Sequence, residues 1–505
     1  MDESHEPKPP MNDSIQKIII LGSGSAGLLV ALALKKKHPD LPVTIIRSPH
    51  IPIIGVGEGS TITVTDFLHD YLNVNSSALF KVANPTWKMG IKFNWGPRKT
   101  FYYPFPSSAD LKVHGVARQV GFYSGEHLDY VDPYSALMAN DRCFPRDAKG
   151  NPVMAGKQFA YHFENEHFVD YLEKVAVAMG VTTVEDTVVD VRRDGNFVSS
   201  LLLESGRTES ADLFVDCSGF VSQLLGKALG EPFISFKSTL FCERAVVGGW
   251  ERTDEPIKSY TTADTMNAGW SWQIEHETRI NRGYVYCPAF ISDDEAEKEF
   301  RAKNPKLGST RIVKFISGRY QRVWVGNVVG VGNSASFIEP LEATALGAIT
   351  MQARLLADGL YESNRRIIPI LVGIYNDQVS RSNDSIRKFL AVHYKFNTLL
   401  NTPFWRECRE KIDLAGAESV IEVYQEIGPT GYFDQVLDRY DFARMSGYVQ
   451  MLAGQNVPHK VRVAPTAQEQ KLLDNLFATN RRIGSTGFSV KEMLQLTRDP
   501  RCKWL

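Results

Sequence analysis

Six residues near the start of the chain, Gly22-Ser23-Gly24-Ser25-Ala26-Gly27, place three glycines at the spacing G-x-G-x-x-G. They follow the apolar run Lys17 to Leu21 and precede the helical run Leu28 to Lys37. In that strand, turn and helix setting each glycine has a task. The first permits a tight turn, the second lets the backbone approach a pyrophosphate, and the third lets helix and strand pack closely. The helix N-terminus, with Ser25 and Ala26 at its start, adds free N–H groups and a partial positive charge that favour phosphate. Val43 to Ile46 reads as the next strand, but it ends in Arg47-Ser48 where an acidic residue usually holds the adenosine ribose. Arg47 suits a 2′-phosphate, an adenine stack or a pyrophosphate contact, so this segment specifies a dinucleotide without choosing one.

Other residues are candidates for chemistry. Lys88 lies in an alternating stretch that reads as a strand, with Trp87, Met89, Ile91 and Phe93 on one face and Lys88, Gly90, Lys92 and Asn94 on the other. The pattern alone describes a solvated lysine and does not separate Lys88 from Lys92. Glu342 stands where Pro340 gives way to a helix, the place of a first-turn carboxylate favoured by the helix dipole. Trp270, Trp272 and Ile274 alternate along a strand, which by itself describes a buried face. The eleven histidines show no H-E-x-x-H or similar spacing, so no metal is expected, and His162 and His167 read as capping or packing residues. A G-x-S-x-G nucleophile elbow is absent.

The elements around these residues belong to a large soluble protein. At 505 residues the chain exceeds what one core usually serves, and 43% hydrophobic with 23% charged residues is a globular composition. Lysine plus arginine (57) nearly balances aspartate plus glutamate (58), so no global field draws in nucleic acid or an anionic membrane, and small molecules are the expected partners. The six cysteines form no C-x-x-C pair and read as reduced core thiols. The charged, proline-rich opening is unlike a signal peptide and no apolar run reaches about 18 residues, so a cytoplasmic location is expected. A second alternating region, from His162 to Gly219, is expected to feed the same sheet as the first. Residues 101–105 and 233–317 read as insertions of strands and loops, and the chain beyond Glu342 reads as mostly helical, with faces compatible with a homo-oligomer.

The downstream motifs narrow the dinucleotide. Asp212 to Gly219 (DLFVDCSG) resembles the second dinucleotide motif of FAD-dependent monooxygenase-type folds, and Gly330-Val331-Gly332-Asn333 resembles their third, with Asn333 where aspartate is usual. Four further patterns, in order, resemble the flavin-dependent halogenases of the tryptophan halogenase type: Gly55-Val56-Gly57-Glu58, Thr86-Trp87-Lys88, Trp270-Ser271-Trp272-Gln273-Ile274 and Pro340-Leu341-Glu342-Ala343-Thr344-Ala345. The resemblance runs from about residue 17 to 360 and more weakly beyond. It implies an α/β, Rossmann-like FAD-binding fold of the monooxygenase type with an inserted β-rich segment and a C-terminal helical subdomain. Residues 1–15 would be a flexible tail, 16–359 the FAD-binding and halogenation module with insertions near 84–160 and 233–317, and 360–505 a helical subdomain covering the substrate.

What the resemblance implies for the site is specific. FADH2 from a separate flavin reductase would react with O2 to give a C4a-hydroperoxide, and attack by halide would yield hypohalous acid. Cofactor contacts would come from Gly22, Gly24, Ser25, Ala26, Gly27, Arg47, Gly57, Glu58, Val188, Asn333 and Leu346. Thr344 and Ala345 would bind halide at a helix N-terminus, with Ala345 replacing the family's usual glycine. Trp270, Trp272 and Ile274 would wall flavin from substrate, and Glu275 stands where the family has proline. Lys88 would present the halogen, as an ammonium donor or a haloamine, and Glu342 would accept the proton lost by the arene. Trp87, Tyr103 and Phe105 would line the pocket for a small aromatic substrate. Tryptophan-specific members have histidine in an H-P-F segment where this chain has Tyr103-Pro104-Phe105, so an indole, a phenol or a similar electron-rich arene is expected ahead of free tryptophan. An FAD-dependent aromatic hydroxylase, which needs no halide, and a non-catalytic flavoprotein are the competing readings.

Overall fold

The phosphate-loop strand, realised as Ile18–Leu21, lies inside a six-stranded sheet. The spatial order is Trp324–Val325, Val328–Gly330, Leu213–Asp216, Ile18–Leu21, Val43–Arg47 and Thr182–Glu185, all parallel except the first hairpin. The computed structural model describes residues 14–51, 57–105, 113, 115–124, 127–154 and 158–499; most of the N-terminal tail, Gly55 and Val56 of the Gly55–Glu58 motif, and Cys502 lie outside them. Ile18–Leu21 and Leu213–Asp216 are buried at every position, as strands covered on both faces must be. Helix Ser25–Lys37 is itself buried from Gly27 to Lys35, between helices Asn165–Ala178 and Ala345–Glu362.

The second alternating region divides between two sheets. Thr182–Glu185 and Leu213–Asp216 join the central sheet, whereas Val188–Asp194 and Phe197–Leu203 pair with each other and with Thr208–Glu209 in a separate antiparallel sheet. The reason is composition: Val188–Asp194 (VVDVRRD) is largely exposed, and a charged strand cannot occupy a parallel sheet covered on both sides.

Both insertions build one seven-stranded sheet. Strands Arg311–Lys314, Arg244–Glu251, Arg279–Tyr286, Gly269–Glu275 and Tyr260–Met266 come from the second insertion, and Gly90–Asn94 with Phe101–Pro104 from the first. A smaller, three-stranded sheet places Ala160–Phe163 between Glu58–Gly59 and Thr86–Lys88, so that two distant motifs flank one strand. The alternating stretch around Lys88 is therefore two strands in two sheets. It breaks at Met89, whose N–H donates to Ser259 and whose carbonyl accepts from Phe105.

The C-terminal helices close over these sheets. Helix Pro369–Phe396 runs from the core beside the phosphate loop, with Leu371, Tyr375 and Val379, into the core under the seven-stranded sheet, with Ile386, Phe389 and Leu390. Helix Arg444–Gly454 packs on strand Phe101–Pro104, and helix Ala467–Thr486 on helix Pro133–Ala139. Among the described residues the five cysteines are free thiols, no group of histidines, cysteines and carboxylates could hold a metal, and no helix is long and apolar enough to cross a membrane.

Candidate active site

The phosphate loop opens onto a cavity of about 420 Å³. Gly22 adopts φ +111°, and a Cβ there would lie 2.3 Å from the Cys217 carbonyl oxygen, so the turn requires glycine. At Gly24 a Cβ would meet no atom within 4 Å, because that face of the backbone looks into open space. The cavity is lined by Gly22, Gly24, Ser25, Ala26, Arg47, Gly57, Glu58, Val188 and Asn333, and at its far end by Trp272, Ile274 and Ala345. A helix N-terminus with open backbone beside it and a large, mostly apolar hollow beyond fits a dinucleotide-bearing flavin.

Several expected contacts stand elsewhere. Gly27 and Leu346 are not among the lining residues. A Cβ at Gly27 would lie 1.9 Å from the Gly22 carbonyl oxygen, so this glycine serves helix packing, and Leu346 is 1% exposed in the core. Arg47 reaches the cavity with its guanidinium already engaged by Glu173 at 3.0 Å and by Glu185. Its charge is spent on carboxylates, leaving its flat face for a ligand. Glu58 sits in the cavity wall, and burial pushes its carboxyl up to about 7.

Trp270, Trp272 and Ile274 divide between two positions. Trp272 and Ile274 face the cavity, whereas Trp270 lies behind, 6.0 Å from Trp272 between ring centroids. The Trp270 indole N–H donates to Glu339 Oε2 at 3.1 Å, and the Tyr394 hydroxyl donates to the same oxygen at 2.7 Å. Glu275 continues the strand, its buried carboxylate paired with Arg252 at 2.5 Å, so the departure from proline is absorbed locally.

Lys88 and Glu342 do not line this cavity and lie behind one part of its wall. Gly59, Thr261 and Ala343 line the cavity, and a Cβ at Gly59 would lie 3.2 Å from Lys88 Nζ and 3.4 Å from both Ala343 Cβ and Thr261 Oγ1. Lys88 is not the solvated lysine that alternation alone describes; it is 0% exposed. Its Nζ donates to the Ser60 carbonyl at 3.0 Å and stands 5.1 Å from the centre of the Phe105 ring. Ser60 is itself pinned, trading hydrogen bonds with the Tyr161 backbone at 2.9 Å and 3.0 Å. Burial lowers the Lys88 ammonium to about 7, against the opposing pull of Glu342. Lys92 is half-buried above the rings of Tyr102 and Tyr260, which distinguishes two lysines that the sequence left equivalent.

Glu342 ends a 3₁₀ turn, Pro340–Glu342, and Ala343 follows at φ +53° before helix Ala345–Glu362 begins. Thr344 caps that helix outside the cavity lining, and Ala345 lies within it. The carboxylate is not a free first-turn charge: Oε1 lies 2.6 Å from Nε2 of the fully buried His393 on helix Pro369–Phe396. Sequence reasoning passed over His393, because a histidine 51 positions downstream carries no local signal that it meets Glu342. Tyr103 approaches helix Arg444–Gly454, where a Cβ at Gly447 would lie 2.8 Å from its hydroxyl, and its ring is 6.2 Å from Phe389. Trp87 is displaced from the expected pocket. It points to the opposite side from Lys88 and is fully buried between Phe80 and Phe144, at 4.9 Å and 5.8 Å.

The comparisons agree with this architecture. The family model described as tryptophan halogenase matches residues 17–470. The tryptophan 7-halogenase RebH of Lentzea aerocolonigenes is 30% identical, over 92% of this chain and 95% of its own. The tryptophan 6-halogenase ThaL of Streptomyces albogriseolus is 31% identical, over 82% of this chain and 83% of its own. Among solved structures, the lanthipeptide tryptophan 5-halogenase MibH superposes with a TM-score of 0.89 at 36% identity, covering 98% of this chain and 96% of its own. The chain belongs to the tryptophan halogenase family. It is a flavin-dependent enzyme that halogenates an aromatic substrate.

Proposed function

We propose that the chain uses FADH2, O2 and a halide to make hypohalous acid, and delivers the halogen to an electron-rich indole or phenol at Lys88 and Glu342. Reduced FAD from a separate flavin reductase, when bound, supplies with O2 the oxidising power that converts halide to hypohalous acid. The phosphate loop and Asn333 hold it by the backbone, the flat face of Arg47 takes the adenine, and the helix start at Thr344 and Ala345 takes the halide. Trp272 and Ile274 keep arene and flavin apart, and hypohalous acid passes the cavity wall at Gly59 and Ala343.

The observation that carries the reading is the buried Lys88 amine, held by a pinned carbonyl just behind the cavity wall at Gly59. A lysine there with a pKa near 7 has a neutral fraction whose lone pair takes up the electrophilic halogen. Glu342 accepts the proton when the ring regains aromaticity. Tyr103 and Phe105 line the arene pocket beneath the C-terminal helices, which act as its cover. With Tyr103 in place of histidine, free tryptophan is not the preferred arene, and the cytoplasm is the place of action.

Mass spectrometry of the protein with FAD, a flavin reductase, NADH, O2 and each halide in turn, over free tryptophan, tryptophan peptides, simple indoles and phenols, tests the proposal. Halide-dependent arene products are expected. Hydroxylated products without halide would establish the hydroxylase instead, and a unique preference for free tryptophan would overturn the substrate assignment.

A further inference from the structure

The meeting of His393 with Glu342 fixes where a proton must sit. His393 Nδ1 lies 2.9 Å from the Phe389 carbonyl oxygen, and Nε2 lies 2.6 Å from Glu342 Oε1. A carbonyl oxygen only accepts, so Nδ1 carries a hydrogen. Were that the ring's only hydrogen and Glu342 ionised, two lone pairs would face each other at 2.6 Å between side chains that are 0% and 2% exposed. A proton therefore lies between Nε2 and Oε1. On the ring it makes an imidazolium–carboxylate pair, on the carboxyl a neutral pair, and in both the net charge is zero. The rings of Phe93 and Phe389 stand 5.4 Å and 4.6 Å from the imidazole. The Glu342 charge acts on Lys88, and Lys88 in turn acts on His162 of strand Ala160–Phe163. Burial holds His162 well below its ordinary pKa and hence uncharged.

We propose that His393 is a positioning residue of the halogenation step, one that shares a proton with Oε1 of Glu342, cancels that carboxylate's charge toward Lys88 and leaves Oε2 to take the arene proton. The inference rests on the Lys88 and Glu342 reading given above. At rearomatisation the ring C–H bond breaks, its electron pair returns to the ring, and the proton goes to Oε2. An uncancelled Glu342 opposes the lowering of Lys88 by burial; a cancelled one lets burial lower the ammonium further and release more of the amine. The helix thus tunes a lysine that it does not touch.

His393→Gln keeps an amide donor for Oε1 but supplies no cancelling proton. The readout is the ratio of halogenated arene to hypohalite caught by a trap, followed across pH. The midpoint of its pH dependence is expected to move up by about one unit, the size of effect an opposite charge has on a neighbouring amine. An unchanged midpoint overturns the proposal. A second measurement needs no variant at His393: the wild-type enzyme should show a far-downfield, exchange-protected proton resonance that disappears in Glu342→Gln. Absence of that resonance from the wild type also overturns it. If Lys88→Ala keeps a wild-type ratio, the underlying Lys88 reading fails instead, and the two failures are distinguishable.

Discussion

The two ends of the site are built from different materials. The flavin end is mostly backbone: a glycine turn, a helix start, and an arginine whose charge is already engaged by Glu173 and Glu185. The reaction end is side chain: a buried lysine on a pinned carbonyl, a buried carboxylate and a buried histidine from three separate elements. Backbone contacts bind a dinucleotide with little dependence on protonation, which suits the proposed exchange of reduced flavin with a reductase. Buried ionisable groups give reactivity and make it sensitive to every neighbouring charge. Damage should therefore register as affinity at one end and as rate at the other.

The largest expected effect breaks the reaction end alone. Lys88→Ala should lower arene halogenation by about 10²- to 10⁴-fold, the usual weight of a positioned proton-transfer or nucleophilic group. Flavin reoxidation, followed by absorbance, should continue. Loss of both together would mean that the two ends are not separable. Next comes pH. With Lys88 lowered to about 7 and the neutral amine as the working form, halogenation should fall about tenfold for each pH unit below 7 and level off above it. A rate that instead declines above pH 7 would identify the ammonium as the working form.

This contrast also explains what the sequence disclosed. Gly22 to Gly27 is readable because a phosphate turn is local, its glycines, strand and helix lying within one contiguous stretch. The central sheet was readable for the same reason, since Ile18–Leu21 is apolar throughout and Leu213–Asp216 is apolar up to its closing aspartate. Lys88 was reached by resemblance, because alternation described it as solvated and only the change of sheet at Met89 buries it. His393 left no trace, being brought to Glu342 by tertiary packing of a 28-residue helix. Trp87 shows the converse error: its place in the motif is right, but strand alternation turns its ring into the core beside Phe80.

A smaller effect should break the flavin end alone. Gly24→Ala adds a methyl group that meets no protein atom within 4 Å, so the apoprotein should fold and melt as the wild type does. The methyl occupies the side from which phosphates approach, and FAD affinity measured by titration should weaken about tenfold, or 1.4 kcal/mol. Saturating FAD should then restore halogenation, which it cannot do for Lys88→Ala. Unchanged affinity would mean that the pyrophosphate lies elsewhere.

The smallest expected effect falls on the partition between the ends. Gly283 pairs with Trp272 across neighbouring strands, and a Cβ there would lie 2.0 Å from Trp272 Cζ2. Gly283→Ala must therefore push that indole off its present position, while Trp270 behind it stays tethered to Glu339. Neither the phosphate loop nor Lys88 is touched, so FAD affinity and the pH midpoint should hold. What should change is coupling: halogenated arene formed per flavin oxidised should drop a few-fold as the separation of flavin and arene loosens, an effect of the size expected when positioning alone is disturbed. Unaltered coupling would show that Trp272 is packing and not a partition, and would leave Ile274 and the cavity wall at Gly59 to keep the two ends apart.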